Sequence, residues 1–248
     1  MFASAPKFHD IPNGGGFNLN HSPQSSTSFT AATRTRARLA GFYDMVAPVY
    51  GFWSRFFESR AAQQAFQAAR LSGGESVLEV AVGGGEFYSA LARIPGLKRC
   101  VGVDLSAPML ARTRKRLAAD GIGRRDLCRA DAHSLPFDRA AFDILFNLYM
   151  LDLLLQEDVP GVLREFARVL KPGGRLIVLS MAEQAGMVNA IWMWLYRRSP
   201  VLVGGCRPLP VVQTLDSNGW KISLREQISQ GGFRSELIVA QSPAEGGR

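Results

Sequence analysis

Two rhythms of apolar residues alternate along the middle of the chain. Residues 76–82 (SVLEVAV), 99–105 (RCVGVDL), 126–130, 142–148 (FDILFNL) and 175–180 (RLIVLS) are short runs rich in aliphatic and β-branched side chains. Apolar character on both alternating faces predicts strands covered on both sides, as in a parallel sheet. Residues 86–93 (EFYSALAR), 107–119 and 157–170 lie between or after these runs and read as helices. An alanine-rich helix over 58–71 (ESRAAQQAFQAARL) precedes the first strand and is ended by Ser72-Gly73-Gly74. Lys171-Pro172-Gly173-Gly174 reads as the stop signal of the 157–170 helix, with the next strand opening at Arg175. Strand and helix in alternation predict a doubly wound α/β fold. Beyond it, 182–210 reads as an insertion and 210–217 as a helix. Residues 220–227 and 233–241 read as two strands whose short connector pairs them as an antiparallel hairpin at the sheet edge.

The stretch around which this pattern is organised is SVLEVAVGGGEF, residues 76–87. A buried strand runs into three consecutive glycines and then into a helix. Glycine at the carboxyl end of such a strand permits positive φ and close approach of a ligand to the backbone. The first amides of the following helix point back over the turn, and open α/β sheets bind ligands there. Three readings compete: a dinucleotide site, a nucleoside-type cofactor site and a merely tight turn. A G-x-G-x-x-G fingerprint starting at Gly83 needs glycine at Tyr88, and no lysine follows the glycines to cradle phosphate. The next strand ends in Asp104, about 20 residues on, where a carboxylate can accept both ribose hydroxyls. A glycine turn with no call for pyrophosphate, joined to a ribose-binding acid, suits a nucleoside without phosphates.

Composition changes this picture at a few points. The chain of 248 residues has length for one α/β domain with additions, and its 47% apolar content is that of a globular protein. The formal net charge of +8 favours anionic surroundings: a membrane surface, an acidic substrate or nucleic acid. Cys100, Cys128 and Cys206 are scattered and without C-x-x-C spacing, so they read as reduced thiols of an intracellular protein, neither disulfides nor metal ligands. No stretch has the length of a membrane span, and 186–196 (GMVNAIWMWLY) is the most apolar candidate. Residues 1–33, rich in Gly, Asn, Ser and Pro, read as a disordered tail. Asp10 is the sole acid before Asp44, which keeps mitochondrial import open beside a cytoplasmic location. Residues 34–57 mix arginines with Phe, Tyr and Trp, a composition that suits either a cap over the site or a segment lying on an anionic bilayer. The basic run Arg112, Arg114, Lys115 and Arg116 reads as a solvated helix face.

Four blocks resemble the class I S-adenosylmethionine-dependent methyltransferases, in particular the small-molecule branch with quinone and phospholipid methylases. VLEVAVGGG is similar to the E/D-x-G-x-G-x-G turn of that family, and VGVDLSAPML to its ribose-binding block. RADAHSLPFDRAAFDILFNLYML resembles its adenine loop and fourth strand, and LREFARVLKPGGRLIVLS its later helix, turn and fifth strand. Ala81 stands where the family has its first glycine, and Gly84 where threonine is common. The resemblance runs over roughly 43–180. It implies a Rossmann-like, doubly wound seven-stranded sheet with helices on both faces. Residues 34–248 would be one methyltransferase domain, with cap helices over 34–71 and a substrate-side insertion over 182–217.

The resemblance also implies roles. Glu79 would lie under the methionine amino end, with Ala81, Gly83 and Gly85 giving backbone access. Asp104 and Leu105 would hold the ribose, Met109 would pack beside the adenine, and Asp131 with Ala132 would meet the adenine amino group. Asn147 and Tyr149 end the fourth strand toward the reaction centre. Tyr43, Asp44 and Tyr149 are the expected catalytic positions, and Tyr50, Asp152, Trp192 and Tyr196 the expected substrate side. Tyrosine faces suit an amine nucleophile acquiring positive charge. His133 lies on the adenine side, out of reach of a nucleophile, and so makes a poor general base. The expected activity is methyl transfer from S-adenosylmethionine to a small lipophilic or membrane-derived acceptor, without a metal. A phospholipid amino head group stands first and a quinone-type ring next. The rivals are a non-catalytic binding subunit and a nucleic-acid methylase, the latter disfavoured by the dispersed basic residues and the lack of an N/D-P-P-Y/F run after the fourth strand.

Overall fold

The computed structural model describes residues 59–123, 126–182, 194, 196–198, 206–230 and 233–243. All of these fall in the compact unit Leu39–Arg248. The tail over 1–33 and the cap segment over 34–57 lie outside the described residues, as does most of the insertion.

Helix α1 (Ser59–Ala68) leads into strand β1 (Ser76–Val80), helix α2 (Glu86–Ala92), strand β2 (Arg99–Asp104), helix α3 (Ala107–Ala119) and strand β3 (Asp126–Arg129). Strand β4 (Phe142–Leu148) follows, then a 3-10 turn (Leu151–Leu153), helix α4 (Val159–Val169) and strand β5 (Leu170–Met181). Helix α5 (Val211–Ser217) precedes the closing strands β6 (Lys221–Gln230) and β7 (Phe233–Gln241). The seven strands lie in the order β3-β2-β1-β4-β5-β7-β6. Strands β1 to β5 pair in parallel, whereas β7 runs antiparallel to both β5 and β6. The doubly wound sheet with its terminal hairpin is therefore as the sequence predicts.

The apolar runs make the sheet because both of their faces are covered. On one face Leu78, Val80, Val101, Val103, Leu145 and Val178 pack with Val162, Leu163 and Phe166 of α4 and with Leu215 and Trp220. On the other, Val77, Ile144, Phe146, Ile177 and Leu179 meet Ala61, Ala65 and Ala69 and the side chain of Leu91. The alanines give α1 a flat face that approaches the sheet closely, which explains an amphipathic helix with so little apolar bulk. The chain order reverses between β1 and β4, where Val80 sits beside Asn147. That reversal leaves a crevice at the carboxyl ends of the strands, where α/β sheets take their ligands.

Two details differ from the sequence reading. The Lys171-Pro172-Gly173-Gly174 turn does not separate helix from strand. Helix α4 ends at Val169, and β5 begins at once, pairing Phe142 with Leu170 and then, after a register shift, Ile144 with Arg175. The glycine-rich segment is a bulge inside the strand, with Gly173 at φ 72° and Lys171 Nζ donating to Asp143 Oδ1 at 2.6 Å. In the hairpin, β6 runs on to Gln230, opposite Phe233. Its residues are mostly exposed, and Arg225 crosses to Glu236 at 2.7 Å, which fits an edge strand carrying charge.

Candidate functional site

Strand β1 stops at Val80 because the next residue turns left-handed: Ala81 has φ 67°, a conformation that is strained for any residue with a Cβ. The Ala81 and Val82 amides both donate to Val103 O, at 2.8 and 3.1 Å, so the turn stays tied to β2. Gly83 (φ 53°) and Gly85 (φ 82°) supply the remaining positive φ angles. A Cβ on Gly83 would meet nothing within 4 Å, whereas one on Gly85 would lie 2.7 Å from Thr113 Cγ2. Gly83 therefore borders open space, and Gly85 is fixed by packing.

Asp104 ends β2 beside this turn. Its Oδ2 accepts from the Gly83 amide and its Oδ1 from the Ser106 amide, each at 2.8 Å. One carboxylate thus joins the glycine turn to the start of α3, where Ser106 caps the helix by accepting from the Met109 amide. A carboxylate has about four acceptor sites, so this group suits a diol as well as backbone amides.

Glu79 lies in β1, 2% exposed, and its Oε2 has no hydrogen-bond partner. Burial pushes its carboxyl well above the usual carboxylate range, and the nearby negative charges of Asp104 and Glu86 push it the same way. An ionised carboxylate held in such a place lacks a cation. The two acids together suit a ligand that brings both positive charge and hydroxyl donors.

The remaining expected cofactor residues fall around this pair. Leu105 is half-buried, and its carbonyl accepts from Arg129 Nε at 2.9 Å. Met109 is buried at the first turn of α3. Asp131 follows β3, the neighbour of β2, and its Oδ1 accepts from the His133 amide and faces His133 Nδ1, both at 2.9 Å. Ala132 packs against the core between them. His133 is thus tied to the loop that would meet the purine. Asn147 is fully buried at the chain reversal, its Nδ2 donating to Val80 O at 3.2 Å while its Oδ1 is unpartnered.

The residues expected on the reaction side are placed unevenly. Tyr149 has φ 59°, and its buried hydroxyl shares a hydrogen bond of 2.6 Å with Ser235 Oγ in β7. That contact ties the exit of β4 to the terminal hairpin. Asp152 is fully buried, with Oδ2 accepting from the Met181 amide at 2.7 Å and Oδ1 unpartnered. Burial drives its carboxyl well above the ordinary range; the Met181 amide pulls downward and Glu236 pushes upward. Tyr196 is half-buried, and its hydroxyl accepts from Arg207 Nη1 at 3.3 Å. Tyr43, Asp44, Tyr50 and Trp192 lie outside the described residues. Among the described residues no group of His, Cys, Asp and Glu could hold a metal ion, and Cys100, Cys128 and Cys206 are not joined in disulfides.

Sequence reading missed Thr113 and misassigned Arg116. Thr113 is fully buried and donates to Gly83 O at 2.9 Å. Arg116 belongs to a run read as a solvated face, yet its Nε donates to Gly84 O at 3.0 Å and its Nη2 pairs with Glu86. The available signal was periodicity: Thr113 falls between Leu110 and Leu117 on the inward stripe of α3.

The fold, the glycine turn and the two strand-end acids are similar to those of the class I S-adenosylmethionine-dependent methyltransferases. Residues 78–178 match the family model described as Methyltransferase domain. Among curated relatives, the chain is 34% identical over 160 residues to a ubiquinone/menaquinone biosynthesis C-methyltransferase, UbiE, of Syntrophotalea carbinolica; the alignment covers 62% of this chain and 65% of that protein. It is 29% identical over 182 residues to a demethylmenaquinone methyltransferase of Lactiplantibacillus plantarum, covering 70% of this chain and 75% of that one. Among solved structures, an S-adenosylmethionine-dependent methyltransferase from Thermotoga maritima superposes with a TM-score of 0.63 at 19% identity, covering 82% of this chain and 99% of that chain. The chain thus spans just under two thirds of the first relative's length, and the structural likeness at that identity speaks for the fold alone.

Proposed function

We propose that the protein transfers a methyl group from S-adenosylmethionine to a small lipophilic acceptor, a quinone-type ring first and an amine-bearing lipid head group second. The observation that carries this reading is the buried Glu79 carboxyl, with Oε2 unpartnered and the Asp104 charge nearby, at the glycine turn. S-adenosylmethionine fits that site: it brings cationic groups to the two acids, a ribose diol to Asp104 and, when bound, an electrophilic methyl carbon. Glu79 balances the positive charge of the amino acid end. Asp104 and Leu105 hold the sugar, Met109 lies against the purine, and Asp131 with Ala132 meets its amino edge. Gly83 keeps backbone, not side chain, next to the ligand, and Ala81 and Gly85 shape the turn on either side of it. Asn147 closes the floor between β1 and β4.

Methyl transfer asks for alignment and exclusion of water more than for proton handling. Tyr43, Asp44, Tyr50, Asp152, Trp192 and Tyr196 remain the residues proposed to shape the acceptor side. Tyr149 acts there by fixing β4 against β7 through Ser235, not as a free hydroxyl.

The quinone-type acceptor stands first because both curated relatives are named for quinone methylation. The lipid head group is favoured by a separate observation: Trp194 is 61% exposed and Arg197 and Arg198 are exposed beside it, a pairing that suits an anionic bilayer surface. Incubation with methyl-labelled S-adenosylmethionine tests the choice. Vesicles carrying a demethylated quinol should take up label, while vesicles of phosphatidylethanolamine alone should not. Label in the amine lipid would select the second acceptor, and no transfer to either would sink both.

A further inference from the structure

We infer that Thr113 and Arg116 of helix α3 are positioning residues of the cofactor turn, fixing the direction of its peptide planes by capturing two of its carbonyls. The inference rests on the glycine turn being the cofactor site. Thr113 Oγ1 donates to Gly83 O at 2.9 Å, and Arg116 Nε donates to Gly84 O at 3.0 Å. The peptide bonds are trans, so the C=O and N–H of each unit point in opposite directions. A carbonyl held toward α3 turns the amide of the next residue away from α3. For the unit between Gly83 and Gly84 this frees the Gly84 N–H, which has no acceptor among the described residues. For the next unit the Gly85 amide returns to Val82 O at 2.9 Å and closes the turn. The Gly83 amide is taken by Asp104 Oδ2. Among the described residues, every backbone N–H and C=O of the three glycines is thus committed except one donor.

The same two side chains set the shape. Thr113 Cγ2 and Oγ1 stand 2.7 and 2.9 Å from where a Cβ on Gly85 would be, so Thr113 also makes residue 85 a glycine. Arg116 pairs with Glu86, whose Oε2 stands 2.6 Å from the position of a Cβ on Gly84. The ion pair therefore keeps the Glu86 side chain folded over the middle glycine. Three successive glycines have a large freedom to lose, and two hydrogen bonds from a packed helix remove much of it before any ligand arrives. The single free donor of the turn then meets an acceptor group on the amino acid end of the cofactor, such as its carboxylate.

Thr113→Val keeps the side-chain shape and deletes the donor; Thr113→Ser keeps the donor. Calorimetric titration with S-adenosylhomocysteine should show about a tenfold loss of affinity in Thr113→Val and near-native affinity in Thr113→Ser. Arg116→Gln should lose affinity by about threefold, as befits a half-exposed donor. Amide hydrogen exchange of the ligand-free protein should be faster at Gly85 in Thr113→Val while the β4 and β5 amides keep their protection. Native affinity in Thr113→Val, with the wild type binding normally, overturns the inference and leaves the cofactor site standing. Equal losses in Thr113→Val and Thr113→Ser would assign Thr113 to packing alone and overturn it too. A wild type that does not bind S-adenosylhomocysteine removes the site reading and the inference together.

Discussion

Glu79 concentrates the electrostatic tension of the site. Its carboxyl is buried, has one oxygen without a partner and faces the charges of Asp104 and Glu86. Its pKa in the folded protein lies above that in the unfolded chain, so the folded state binds protons more tightly. Stability therefore falls as pH rises from the ordinary glutamate range, about 4.3, through the raised folded value. Glu79→Gln should remove that slope and raise the thermal midpoint at neutral pH, while weakening S-adenosylhomocysteine binding by at least about tenfold. Melting curves across pH, paired with titrations, check both halves. A cationic ligand lowers the Glu79 pKa, so binding should release protons and tighten with rising pH over the same window; calorimetry in buffers of different ionisation enthalpy reads that release. A second residue carries conformational strain. Ala81 sits at φ 67° where glycine would rest easily, and Ala81→Gly should change stability by about +0.5 kcal/mol, strain relief outweighing the added freedom of the unfolded chain. Denaturant midpoints measure it, and a clear loss of stability would contradict the strain.

Elements of the sheet were legible because burial on both faces leaves an unambiguous run of apolar residues. Strands β1, β2, β4 and the parallel part of β5 follow directly from such runs, and β7 was bounded correctly by the hairpin argument. The segment at Lys171 was not, because Pro and Gly mark a bulge in a strand as readily as a helix stop, and only pairing with β4 separates the two. The glycine turn and Asp104 were legible as a motif. The hold that α3 exerts on that turn was not, since Arg116 donates to a backbone carbonyl that no charge pattern announces. The settings of Tyr149 and Asp152 were hidden for a related reason: Ser235 and Glu236 reach them from a strand more than eighty residues along the chain. The packing of α3 on the turn predicts that Gly85→Ala, at φ 82° and against Thr113, abolishes S-adenosylhomocysteine binding, by an estimated hundredfold or more for about 3 kcal/mol of combined strain and overlap. Retained affinity in that variant would mean the turn is looser than its contacts imply.

At the scale of the whole molecule, the chain reversal between β1 and β4 puts the turn, Asp104, Asp131 and Asn147 along one edge of one sheet. Buried Glu79 and Asp104 stand by that edge, Arg116 and Arg129 donate to backbone carbonyls of Gly84 and Leu105 beside it, and Trp194, Arg197 and Arg198 lie exposed. A cofactor site at the glycine turn is tested most directly by calorimetric titration of the wild-type protein and of Asp104→Asn with S-adenosylhomocysteine. It predicts saturable one-to-one binding by the wild type and a loss of at least about tenfold in Asp104→Asn, with an unchanged circular dichroism spectrum. Absence of binding by the wild type, or equal binding by both proteins, would contradict it.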